Sequence, residues 1–417
     1  MTVLDDLPNE AFLNIFSYLA SPDLASTSLV SRRWHVISEP VLYREPDIDR
    51  DPDIDRGPDA SDLSRWPGGI GLFLRTLLTP GRERLAFHVR AIYLNWSNNI
   101  PDPTPRRRGN LTLIEAAESC YGVTRSSVLG SLDSQVVLLM HMLPRLHRLH
   151  VMPAQDCDSF NDLLDTIGPT NPLPLSFQAL TYFFCDWSFT KTGVSAQATL
   201  ALLQLPHMKT LLINIQGEWG GDFPTNVGGT SGITNFTLVS EITGVLLAFI
   251  LSVPRALERF TYVGPWMDEF VCALGLIRST AIQLVLAFDT QDSEPVHSLS
   301  FRNWPVLREL FCPLALLVSC LDRADGRQLA EALPASILQL EISDWVYISR
   351  ENGGWGDESE EVNFWYKVDL FVQLVGDEIE MVPRLERLII NLEYNQLPEE
   401  LRAVCEAAGV AVGRYED

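Results

Sequence analysis

The sequence predicts an α/β chain: a short N-terminal three-helix module, then a solenoid of strand–helix units whose parallel strands form a curved sheet. Three observations carry this expectation. Helix-start signals with helical apolar spacing fill the first 45 residues, and a charged Pro/Asp tract follows. Beyond residue 70 one phrase, Leu-x-x-Leu-x-apolar beside an apolar helical run, recurs almost to the C-terminus. The expected organisation is a helical module at 1–45, an acidic linker at 46–66 and the repeat array at 67–417.

The first helix is announced by Leu7-Pro8-Asn9-Glu10 followed by Phe12, Ile15, Phe16 and Leu19. Proline suits the first helical position, where its missing N–H is not needed, and an early Glu favours the positive end of the helix dipole. The i, i+3, i+4, i+7 spacing makes these four residues one apolar stripe. A second start follows, with Ser21 as a cap, Pro22 and Asp23 in the first turn, and Leu24, Leu29, Val30 and Trp34 as apolar surface. Pro40 is expected to stop the third helix before Val41-Leu42-Tyr43. So small a domain is marginal alone, so the stripe docks either on the rest of the chain or on another protein. The tract Glu45-Pro46-Asp47-Ile48-Asp49-Arg50, repeated as Asp51-Pro52-Asp53-Ile54-Asp55-Arg56 before Gly57-Pro58-Asp59, reads as a solvated spacer. A spacer there favours another protein.

These residues resemble the F-box family. Leu7-Pro8-x-Glu10, Ile15-Phe16-Ser17-Tyr18-Leu19, Asp23-Leu24, Val30-Ser31-Arg32-Arg33-Trp34 and Leu42-Tyr43 follow its motif in order over residues 4–44, with Ser31 where a Cys is common. The resemblance implies a three-helix motif that binds the Skp-type adaptor of cullin–RING ubiquitin ligases. The matching contact positions are Leu7, Pro8, Ile15, Phe16, Leu19, Leu24, Val30 and Trp34. It further implies a substrate-recognition subunit holding a target protein through the array. The alternative is a non-ligase F-box scaffold that holds an adaptor in another assembly.

The repeat phrase is clearest at Leu146/Leu149/Val151, Met208/Leu211/Ile213, Leu257/Phe260/Tyr262 and Leu385/Leu388/Ile390. Weaker copies are Val89/Ile92/Leu94, Leu180/Phe183/Cys185, Ala281/Leu284/Leu286, Leu307/Leu310/Cys312 and Ile337/Leu340/Ile342. Alternation places every second side chain on one face of a short strand. Runs such as Ala198–Leu205, Thr237–Val253, Met267–Ile277 and Phe364–Val382 supply covering helices. Such a unit buries its apolar side only against its neighbour, which builds a solenoid. A doubly wound domain also alternates strands and helices, but no G-x-G-x-x-G turn follows any of these strands. The array is similar to the degenerate leucine-rich-repeat arrays of many fungal F-box proteins.

With 54 acidic against 31 basic residues, a net charge of −23 argues against nucleic acid and anionic membranes as partners. The longest apolar run, Ile242–Val253, is too short to span a bilayer. The acidic N-terminus lacks the basic flank of a signal peptide, which makes the N-x-S/T triplets at Asn95, Asn110 and Asn235 chance matches. Seven scattered cysteines suit a reducing compartment, cytoplasmic, nuclear or both. No catalytic or metal site and no cofactor is expected. His141, His147 and His150 lack a Cys at ligand spacing; Cys312 and Cys320 lack C-x-x-C geometry; Glu358, Glu360 and Glu361 sit in a Gly-rich loop. Arg106-Arg107-Arg108 reads as a solvated loop, and no G-x-S-x-G elbow occurs.

Three intervals between phrase copies are oversized, and their extra residues, 96–110, 217–235 and 345–363, each follow a strand phrase. They carry Trp96, then Trp219 and Phe223, then Trp345, Tyr347 and Trp355. Aromatic groups on adaptable loops suit target anchors; the alternative is that the rings fold back onto the core.

Overall fold

In the computed structural model the described residues are 7–46, 69–95, 132–153, 157–167, 173–188, 195–215, 219, 229–266, 269–288, 299–318, 325–342, 368–390 and 398–413. They divide into two compact units, one of residues 1–211 with 219–223 and one of 212–218 with 224–417.

The first unit opens with α1 (Asn9–Phe16), α2 (Ser21–Ser28) and α3 (Arg32–Leu42). Their boundaries differ in detail from expectation. Pro8 is the N-cap of α1 rather than its first residue, with extended backbone at φ −66° and ψ 154°. Ala20, not Ser21, caps α2. Pro40 lies inside α3: having no N–H, it leaves one helical bond unmade, and the Tyr43 N–H to Glu39 carbonyl bond closes the turn around it. Then come α4 (Gly69–Leu78), β1 (Ala91–Asn95), α5 (Leu132–Met142), β2 (Arg148–Met152), α6 (Asp158–Thr166), α7 (Leu175–Gln178) and β3 (Tyr182–Asp186). Next are α8 (Ala196–Leu203) and β4 (Thr210–Ile215), within which the division between units falls.

β1, β2 and β3 pair in parallel, with Ile92 opposite Leu149 and Leu149 opposite Phe183. The middle residues of the repeat phrase therefore stack in one buried row. Each strand also starts in the same way. The Arg90 carbonyl accepts from the N–H groups of His147 (2.7 Å) and Arg148 (3.0 Å), and the His147 carbonyl from Thr181 and Tyr182. The Thr181 carbonyl accepts from Lys209 and Thr210. One backbone oxygen thus fixes the level at which the next strand begins.

The second unit repeats this plan with β5 (Asn235–Ser240), α9 (Gly244–Ser252), β6 (Arg259–Gly264), α10 (Phe270–Gly275), β7 (Gln283–Phe288), β8 (Glu309–Cys312), α11 (Gly326–Ala332), β9 (Gln339–Ile342), helical residues 368–376 as α12, β10 (Arg387–Ile390), α13 (Glu399–Ala408) and β11 (Ala411–Gly413). Its strands are all parallel and neighbour one another in chain order. Phe236, Phe260, Leu284, Leu310, Leu340 and Leu388 form the buried row. The shared carbonyls are those of Thr234, Glu258, Ile282, Arg308 and Leu338.

All nine phrase copies are strands. β5 and β11 are additional, and β5 corrects the sequence reading, which gave Thr237–Val253 wholly to a helix. Ile233-x-x-Phe236-x-Leu238 is the same phrase, and α9 starts only at Gly244, capped by Thr243. Phe236 divides the 49-residue interval from Leu211 to Phe260 into 25 and 24, so this interval holds two ordinary units. The alternation was masked because it runs straight into the apolar stretch of the helix.

Helices pack closely between units of the repeat. A Cβ on Gly326, at the start of α11, would lie 2.5 Å from Gln373 Cβ and 2.6 Å from the Leu374 nitrogen of α12, and the Gly326 N–H donates to Gln373 Oε1. In the first unit Asp133, at the start of α5, is buried and accepts from the N–H groups of Ser159 (2.7 Å) and Phe160 (3.2 Å) at the start of α6. Burial outweighs these bonds and pushes its carboxyl up to about 6.

Two outcomes follow. Gly326→Val lowers stability by about 1–3 kcal/mol through overpacking, read by chemical denaturation. For Asp133 the folded form holds its proton more tightly than the unfolded form, so stability falls as pH rises from about 4 to about 6 and then levels off. Asp133→Asn keeps an acceptor for α6 and removes that part of the pH dependence, measured as the pH dependence of the denaturation midpoint.

Candidate functional site

The N-terminal helices bury one side of themselves. Phe12, Phe16, Leu24 and Ile37 form the interior, with Leu7, Leu19, Trp34, Val41 and Leu42 packed on it. The Trp34 ring lies 5.3 Å from that of Phe12 and 5.8 Å from that of Phe16. Arg33 closes the edge: its guanidinium stands 5.2 Å from the Phe12 ring centre and donates to Asn9 Oδ1 and the Leu7 carbonyl. The Ser31 hydroxyl accepts from the Trp34 N–H at 3.1 Å and caps α3, the reason a small polar residue serves at this position.

This packing separates residues that spacing alone had put in one stripe. Of the eight positions singled out, Phe16 and Leu24 are interior; Leu7, Leu19 and Trp34 are half-buried; Pro8, Ile15 and Val30 are exposed. Four exposed apolar residues in the same module are not among those contact positions: Leu13, Tyr18 (84% exposed), Leu29 (86%) and Val36. Helices α2 and α3 cover only the Phe12/Phe16 side of α1. A signal for the rest was present in the i, i+3 pair Ile15/Tyr18 and in Leu29-Val30 just after α2. Leu13, Ile15, Tyr18, Leu29, Val30 and Val36 are thus six large apolar side chains exposed within 24 residues, the part of this module open to a partner.

The end of α3 contacts the segment that leads into β1 directly. The Arg44 carbonyl accepts from the N–H groups of Arg90 (2.7 Å) and Ala91 (3.2 Å), so it occupies, ahead of β1, the place that Arg90 occupies ahead of β2. The Tyr43 ring stacks on Phe73 of α4 at 6.3 Å, and Glu39 pairs with Arg84 at 2.9 Å. Residues 47–68, the core of the expected linker, lie outside the described residues.

A family model described as F-box-like matches residues 4–49. Those residues are an F-box-like domain. The match covers about a tenth of the chain, and comparison with curated proteins finds no match. F-box domains generally bind Skp-type adaptors.

The remaining candidates are dispersed. His147 Nδ1–H donates to the Ala179 carbonyl at 3.0 Å while Nε2 accepts from Arg90 at 3.2 Å. His150 stands edge-on to Phe184 (4.0 Å) and Tyr93 (5.3 Å), on the sheet face opposite the buried row, and burial lowers its proton affinity. His141 lies on α5. Among the described residues no three His, Cys, Asp or Glu gather in a way that holds a metal, and no helix is long and apolar enough to cross a membrane. Cys157, Cys185, Cys312 and Cys405 are buried thiols, that of Cys157 pushed up to about 12 by burial. Of the loop aromatics, Trp219 is half-buried; Trp96, Phe223, Trp345, Tyr347 and Trp355 lie outside the described residues.

The split between interior and face has a direct readout. Phe12→Ala removes about 3–5 kcal/mol of local stability, whereas Ile15→Asp changes it by under about 0.5 kcal/mol. Hydrogen exchange of the α1–α3 amides distinguishes the two.

Proposed function

We propose that the chain is a substrate-recognition subunit of a Skp–cullin–F-box ubiquitin ligase. The observation that carries this reading is the F-box-like domain with a packed interior and an unfilled apolar face formed by Pro8, Leu13, Ile15, Tyr18, Leu29 and Val30. An adaptor laid on these side chains removes exposed apolar surface from water, which favours binding. The chain supplies no reacting group of its own. It raises the local concentration of a target's lysines beside the ubiquitin-charged enzyme.

Two features support a rigid receptor. The Arg44 carbonyl and the Tyr43–Phe73 stack attach the domain to the start of β1 and to α4, so an adaptor-bound domain sets the direction of β1–β3. The strands of that unit present Tyr93, His150 and Phe184 as a row of rings on the face away from the interior. We assign target contact to this row and, as separate candidates, to the segments 96–110, 217–235 and 345–363, whose sequences carry Trp96, Trp219 with Phe223, and Trp345, Tyr347 and Trp355.

Affinity purification tests the reading. The full chain is expected to bring down a Skp-type adaptor together with a cullin and a RING subunit; adaptor alone would indicate a scaffold outside a ligase. Ile15→Asp with Val30→Asp places two unpaired carboxylates in the contact and lowers adaptor recovery by about 30-fold or more. Both side chains are exposed in the free chain, so the fold survives, and undiminished recovery would remove the assignment of this face.

A further inference from the structure

Lysine is nearly absent. Only Lys191, Lys209 and Lys367 occur, so 28 of the 31 basic residues are Arg. Lysine is ordinarily among the commonest residues of soluble proteins. A gene drifting toward G and C would exchange Lys for Arg, but it would deplete every residue whose codons begin with two A or T bases. The chain holds 22 Ile, 19 Phe, 16 Asn and 10 Tyr. Asn differs from Lys only at the third codon base, yet outnumbers it fivefold. The deficit is specific to the amino group.

Folding does not explain it either. Arg82, Arg278, Arg302, Arg384 and Arg402 are all exposed, on turns and helix surfaces where either cation serves. Only one of the three lysines falls within the described residues: Lys209, exposed in the turn before β4. What separates the two side chains chemically is nucleophilicity. A lysine amine that has lost its proton attacks the thioester carbonyl joining the ubiquitin C-terminus to a conjugating-enzyme cysteine. The C–N bond forms, the C–S bond breaks, the thiolate leaves, and the nitrogen sheds a second proton to give an isopeptide. Arg keeps its proton and its delocalised charge at any physiological pH and does not enter this reaction.

We propose that the chain is depleted of lysine to exclude itself as an acceptor, so that a receptor held continuously beside charged ubiquitin passes it to the target and outlives each round. This rests on the ligase reading above and adds to it a rule of acceptor selection written over the whole surface rather than at one site.

The test is reconstitution of the full chain with Skp-type adaptor, cullin–RING subunits, activating and conjugating enzymes and ubiquitin. A variant with Arg82, Arg278, Arg302, Arg384 and Arg402 all changed to Lys keeps charge and fold, checked by circular dichroism and gel filtration. It is expected to acquire at least fivefold more ubiquitin than the natural chain, with mass spectrometry placing the adducts on the new lysines. Changing Lys191, Lys209 and Lys367 to Arg is expected to abolish the remaining adducts while adaptor capture is unaltered. Equal conjugation of the five-lysine variant and the natural chain, with adaptor and cullin co-eluting from both, would overturn the inference and leave the ligase reading standing. Loss of co-elution from the natural chain itself would overturn both.

Discussion

β1 to β4 and β6 to β10 are each placed by a single backbone oxygen that receives two consecutive N–H groups from the segment starting the strand. A carbonyl has two lone pairs and can satisfy both donors, and leaving either unpaired in the interior would oppose folding by about 1–3 kcal/mol. Once that level is set, the alternating side chains have no freedom of register. Ile92, Leu149 and Phe183 in the first unit, and Phe236, Phe260 and Leu284 in the second, fall opposite one another and make the buried row. A slip of one residue would turn every one of these side chains to the opposite face. Burial of the row, at about 1.5–3 kcal/mol per large apolar side chain, secures what the shared carbonyl positions.

The helical domain enters the same scheme. Because the Arg44 carbonyl is the first rung of the ladder, the end of α3 serves β1 as one strand serves the next. The domain therefore has two surfaces of different kinds. One, through Tyr43, Glu39 and Arg44, is committed to its own unit; the other, bearing Ile15, Tyr18, Leu29 and Val30, has no covering partner helix in the domain. The internal residues Phe12, Phe16 and Leu24 hold the second surface in shape.

Much of this was legible in the residues. Alternation at Leu149/Val151 or Leu340/Ile342 marks a strand because a period of two has no other structural meaning, and all nine such phrases are strands. Phe236/Leu238 was missed where its alternation met the uniformly apolar α9, whose own run hides the boundary. In the helical domain many of the apolar positions were identified, though not Leu13 or Val36, and the side facing inward was not. Ile15 and Phe16 are both apolar and adjacent, and only the placement of α2 and α3 decides that one is exposed and the other interior. The Arg44 contact left no trace in the sequence, since it uses main-chain atoms alone, and the Pro/Asp tract beside it pointed to separation.

The rungs of the ladder are Arg44, Arg90, His147, Thr181, Thr234, Glu258, Ile282, Arg308 and Leu338, with no side chain in common. A frame held by main-chain oxygen places no demand on chemistry at these positions, and the demand at the buried row is only that residues be apolar and of fitting size. Between those rows the outward residues are unconstrained by the frame. Such an architecture can be rewritten across its outer surface, substitution by substitution, while its skeleton stays the same, so the surface of such a chain can change without its fold being evolved again.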